Sequence, residues 1–176
     1  MDTFSYLAQT SSPLLWLLIA VVGAAVRTRH SPSRAAKLET WQRWWAGVAL
    51  GCGSLWLVIA FLVVPDEMAA TIGFARTPFE FEIAFANLAL AVLAFRVASP
   101  SATTRERVLV GLGAGMFLWG AAIGHLHQWF AAGNHAPGNT GGILVYDVLA
   151  PAVLIVLAHR AQRLSSANES ALASRL

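Results

Sequence analysis

Apolar positions recur at helical spacing through Thr77 to Arg96, TPFEFEIAFANLALAVLAFR. Phe81, Phe85, Leu88, Val92 and Phe95 form one bulky stripe. Glu80, Ala84, Asn87, Ala91 and Ala94 lie to one side of it, and Glu82, Ala86, Ala89 and Leu93 to the other. A helix in lipid takes this form when its bulky side meets acyl chains and its small side meets other helices. The stretch is therefore a predicted membrane-spanning helix with two carboxylates and an amide near one end.

Four further apolar runs accompany it. The first is unbroken only from Pro13 to Val26, but a span needs about 20 residues, so its helix is expected to begin near Phe4. The predicted spans fall at about 5–26, 44–64, 78–97, 108–127 and 143–160. The linker 65–76 has room for a short interfacial helix, and residues 164–176 form a polar C-terminal tail. The expectation is an all-α, polytopic integral membrane bundle of about five helices, a single domain over 1–176.

Composition agrees. The chain is 57% hydrophobic and 12% charged, against about 25% charged in soluble domains. The net charge of +3 is too small to argue for nucleic acid. Its distribution says more. Arg27, Arg29, Arg34, Lys37 and Arg43 fall in a basic first loop; Arg96, Arg105 and Arg107 flank the third; Arg160, Arg163 and Arg175 follow the last span. With five spans these share one side, and Arg76 alone lies opposite. The positive-inside rule then places the N-terminus outside and the C-terminus in the cytoplasm. Trp41, Trp44 and Trp45 sit where the second span enters, as an aromatic belt does. The start, MDTFSYLAQTSS, has no Lys or Arg, so the first helix is expected to be retained rather than cleaved as a signal peptide. Cys52 is the only cysteine, which excludes dithiol chemistry within one chain.

This topology gathers the intramembrane polar groups at the extracytoplasmic level. Candidate pocket residues are Glu80, Glu82 and Asn87 on the third span, His125 and His127 at the end of the fourth, Asn134, His135 and Asn139 in the following loop, and Asp147 on the fifth. Such groups are costly in lipid and face protein or a water-filled cleft. Each also has a structural explanation. Thr77-Pro78-Phe79-Glu80 reads as a capping box, in which Glu80 satisfies backbone donors. Glu82 lies about 200° around the helix from Glu80 and has no such duty. Asn87 can bridge helices. On the fourth span Gly113, Phe117, Gly120 and Gly124 make a stripe suited to close helix contact; His127 nearly continues it, so His127 is expected to face the bundle and His125 to point away. Pro151 follows Asp147 by four residues and deprives its carbonyl of a helical donor.

The segments PFEFEIAFANLALAVLA, FLWGAAIGHLHQ and NHAPGNTGG, with Asp147 and Pro151, resemble an uncharacterised family of small bacterial multi-pass membrane proteins, a domain of unknown function. The resemblance covers about residues 70–155 and implies a helical bundle in the bacterial inner membrane, without substrate or reaction. Three functions stay open. One is a pocket for a small polar solute, proton or cation, with Glu82, His127 and Asp147 as working groups. Another is a membrane metal-binding protein or metalloenzyme holding a transition metal through His125, His127, Asp147 and Glu82. The third is an accessory subunit in a membrane complex or homo-oligomer. The lipid bilayer is the one partner common to all three.

Overall fold

A computed structural model describes residues 2–173, and Arg175 of the charge count lies outside them. Helix α1 (Thr3–Ser11) is capped by Asp2, whose carboxylate accepts from the Ser5 N–H at 2.7 Å. That hydrogen bond holds the Asp2 carboxyl below its usual range. The chain then bends by 55° at Ser12-Pro13 into α2 (Leu14–Thr28). The predicted first span is thus a broken helix, and proline supplies the break.

Helix α3 (Arg34–Trp44), a π-helical segment (Trp45–Cys52) and α4 (Gly53–Val63) run on as one 30-residue helix, Arg34–Val63. The basic loop expected over 27–43 is therefore mostly helix, with only residues 29–33 between α2 and α3. Ser33 caps it by accepting from the Ala36 N–H at 3.1 Å, and Ala35, Ala36, Leu38 and Glu39 are strong helix formers. A short α5 (Pro65–Ile72) starts at a proline and stops at Gly73, whose φ of 76° is left-handed. Helices α6 (Phe79–Val97), α7 (Thr104–Ala131) and α8 (Gly142–Ala173) complete the chain.

The core lies along the long Arg34–Val63 helix and α8. Trp45 donates its indole N–H to the Ala150 carbonyl at 2.8 Å, and Tyr146 donates its hydroxyl to the Ala49 carbonyl at 3.0 Å. Glycine permits this approach, because a Cβ at Gly53 would collide with the Tyr146 ring and hydroxyl. On α6 the buried face is Glu80, Ala84, Asn87, Leu90, Ala91, Ala94 and Val97, while Phe79, Phe81, Phe85, Val92 and Phe95 are exposed. The flank of Glu80, Ala84, Asn87, Ala91 and Ala94 is buried as read from the sequence, whereas Glu82, Ala89 and Leu93 of the other flank are exposed with the bulky stripe. Exposed apolar side chains continue on the other helices, among them Leu18, Val22, Trp56, Met116, Ile123 and Phe130. So continuous an apolar surface calls for a nonaqueous neighbour.

Among the described residues, three helices are long and apolar enough to cross a membrane: Arg34–Val63, Thr104–Ala131 and Gly142–Ala167. The bent pair α1–α2 makes a fourth if it counts as one span. Helix α6 is not among them; its 19 residues carry Glu80, Glu82 and Arg96.

The bundle has two chemically different ends. At one, α1, α5 and the loop 132–141 meet: Tyr6 donates to the His135 carbonyl (3.3 Å), Thr10 to that of Pro137 (2.9 Å), and the Gly138 N–H to that of Thr71 (2.8 Å). At the other, Arg107 is 2% exposed and spends all its donors. It makes a bidentate pair with Glu39 (both 2.7 Å) and donates to Gln42 Oε1 (2.9 Å), the Val97 carbonyl (3.1 Å) and the Ser99 carbonyl (3.2 Å). Arg43 donates to the Ala98 carbonyl at 3.0 Å. The turn between α6 and α7 is thereby pinned to α3.

Candidate functional site

The site forms where α7 ends, the loop 132–141 folds back and α8 begins. Helix α7 buries Gly111, Ala114, Gly115, Leu118 and Ala122, and His125 continues that face one turn on. His125 lies against Asp147, with Nε2 and Oδ2 3.8 Å apart; their side chains are 18% and 3% exposed. Its other ring nitrogen, Nδ1, is 2.8 Å from Asn139 Oδ1. Asn139 is fully buried, and its amide nitrogen donates to the Asn134 carbonyl at 2.9 Å. Asn134 in turn donates to the Ile72 carbonyl at 3.0 Å.

This chain of contacts fixes the histidine. Because the Asn139 amide nitrogen is committed to Asn134, only its oxygen faces the ring, and an oxygen there requires a proton on Nδ1. A neutral His125 therefore turns the lone pair of Nε2 toward Asp147. Asp147 Oδ2 is buried without a hydrogen-bond partner. Two lone pairs facing each other inside a bundle is an unfavourable state. One proton on either atom relieves it.

The sequence reading of α7 is changed. His127, expected to face the bundle, is exposed, and His125, expected to point away, is the inward residue. The reason lies in the glycines used to set the face: a Cβ at Gly113, Gly120 or Gly124 would meet nothing within 4 Å. The packed face is a second stripe of small residues, and small residues on both sides of α7 left the two phases equally plausible in sequence.

The remaining candidates are placed as follows. Glu80 is buried, and its carboxylate accepts from the Thr77 N–H (2.8 and 3.0 Å) and hydroxyl (3.1 Å), its half of the capping box; the reciprocal half is not formed, since the Thr77 hydroxyl accepts from the Phe79 N–H instead. Glu82 is exposed on the opposite face. Asn87 donates to the Ile83 carbonyl at 3.0 Å, and its buried Oδ1 has no partner. These three belong to α6, which packs chiefly on α4 and the π-helical segment, whereas His125 and Asp147 belong to the α7–α8 pair. The convergence of Glu82, His127 and Asp147 does not occur. His135 is exposed and sits edge-on to Trp129, ring centres 4.0 Å apart. Among the described residues no group of three His, Cys, Asp or Glu side chains could hold a metal ion, which removes the geometric support for a metal at His125, His127, Asp147 and Glu82.

Loop placement depends on Gly73. Its backbone is left-handed, and an added Cβ would collide with Asn134. Gly73→Ala is expected to cost about 1–2 kcal/mol, from the strained backbone, and to loosen the hold on Asn139 through Asn134. Hydrogen exchange confined to 132–141 checks it: faster exchange there supports the role, and unchanged exchange contradicts it.

A helical bundle with apolar spans and a polar centre at one end is compatible with one class of protein, the polytopic membrane proteins. This chain belongs to a family of unknown function, DUF6790, whose model matches residues 10–167. Neither the curated proteins nor the solved structures offer a match.

Proposed function

We propose that this protein crosses the bacterial inner membrane and binds a proton at the His125–Asp147 pair near its extracytoplasmic face. The observation that carries the reading is the 3.8 Å approach of Nε2 to an otherwise unpartnered Oδ2, with Nδ1 already engaged by Asn139. Carboxylate and imidazole inside membrane bundles are the usual parts of proton relays. A proton fits better than a metal, because the third and fourth ligands a transition metal takes are lacking among the described residues.

Five crossings follow if α6 also spans. Its charges favour that: Glu80 is spent on the cap, while Glu82 and Arg96 occupy opposite end turns, from which side chains reach the interface. The orientation rests on the two ends. Arg34, Lys37, Arg43, Arg107, Arg160 and Arg163 group around the α3 start, the α6–α7 turn and the lower half of α8, whereas the opposite end carries Arg76, itself paired with Asp66. Positive charge marks the cytoplasmic side.

The test is a difference titration of purified protein against Asp147→Asn. The parent is expected to bind one proton more per chain over the interval in which the pair titrates. Superimposable curves would contradict the proposal.

A further inference from the structure

At the basic end, a cleft of about 860 Å³ lies between residues of α3 and α8. Its rim carries four cations, Arg34 and Lys37 from α3 and Arg160 and Arg163 from α8; its wall includes Trp41 and Leu157. All four cations are exposed, and among the described residues none has a carboxylate within ion-pair distance. The contrast with Arg107, Arg96 and Arg76 is direct, since each of those is paired. Val153 lies on the wall ten residues before Arg163, so the apolar surface extends about 15 Å along α8 below the charges.

We infer that this cleft binds an anionic phospholipid, its phosphate held by Arg34, Lys37, Arg160 and Arg163 and one acyl chain laid along Trp41, Leu157 and Val153. The inference rests on the membrane reading above, which sets this end at the cytoplasmic leaflet. Charge complementarity selects the occupant: four cations with no ion-pair partner among the described residues call for an anion, and the apolar wall beneath them calls for an anion that brings a hydrocarbon chain. Basic recesses between spans on that side are suited to such head groups. A free phosphate would satisfy the rim and leave the wall bare.

The full chain, reconstituted in vesicles of phosphatidylcholine, is titrated with phosphatidylglycerol brominated on its acyl chains, and separately with brominated phosphatidylcholine; tryptophan fluorescence is the readout. Brominated phosphatidylglycerol is expected to quench at the lower mole fraction. Trp41→Phe should abolish the phosphatidylglycerol-specific part of the quenching. The variant Lys37→Gln/Arg160→Gln/Arg163→Gln should weaken the preference about five-fold for each cation removed. Inorganic phosphate should not reverse the quenching. Equal quenching by the two lipids, an unchanged preference in the triple variant, or reversal by inorganic phosphate would overturn the inference. Flotation separates the two levels: protein that does not float with the vesicles sinks the membrane reading itself, whereas protein that floats without lipid preference sinks this site alone.

Discussion

Arg107→Ala is expected to destabilise the protein by about 3–5 kcal/mol, the cost of removing one partner from a buried ion pair. The magnitude follows from what is left behind. Gln42 is 1% exposed and loses the donor to its Oε1, and the carbonyls of Val97 and Ser99 lose theirs. Glu39 is 39% exposed at its side chain, so water can replace the guanidinium there, and its share of the loss is the smaller one. Arg107→Lys should recover only part, because an ammonium is a point donor and cannot reproduce a planar fork reaching four partners. Denaturant unfolding in detergent measures both. A loss below about 1 kcal/mol for Arg107→Ala, the range of an exposed pair, would show that the cluster does not pin the α6–α7 turn.

His125→Ala and Asp147→Asn are expected to diverge. His125→Ala removes the donor to buried Asn139 Oδ1 and takes away the imidazole that stands 3.8 Å from the Asp147 carboxylate. An unsatisfied buried acceptor costs about 1–3 kcal/mol, and the loss should be larger when the carboxylate is ionised. Asp147→Asn has the opposite character. Its amide can donate to Nε2 without any added proton, so it imitates the protonated aspartate. That variant should match the parent's stability to within about 1 kcal/mol and lose the pH dependence that the pair contributes. Melting curves taken across pH distinguish the two. If Asp147→Asn destabilises as much as His125→Ala, Asp147 supports the bundle by its charge, and the proton assignment fails.

Much of the architecture was legible because lipid simplifies the code. Phe81, Phe85, Val92 and Phe95 had to leave the bundle and Ala84, Asn87, Ala91 and Ala94 had to enter it, and α6 does both. The linker helix α5 was readable from Pro65 at its start. Where two solutions share one pattern, the sequence was silent. Small residues occur on both sides of α7, so its phase, and with it the choice between His125 and His127, awaited the partner helix. Arg107 reads as a loop charge because the sequence pattern puts its partners, Glu39 and Gln42, in the basic loop between the first two spans. Recognising Ser33 as a cap would have made 34–44 helical and set those two residues on one face, three apart. The tie from Asn139 to Asn134 to Ile72 joins a loop to a distant helix end, and no local periodicity encodes it.

The most direct measurement of the central claim is the infrared difference spectrum of the reconstituted protein across a pH jump. A proton held on the Asp147 carboxyl beside His125 predicts a buried carboxyl band that appears on acidification, disappears in Asp147→Asn, and shifts in His125→Ala. A spectrum that keeps the same carboxyl band in Asp147→Asn would contradict it.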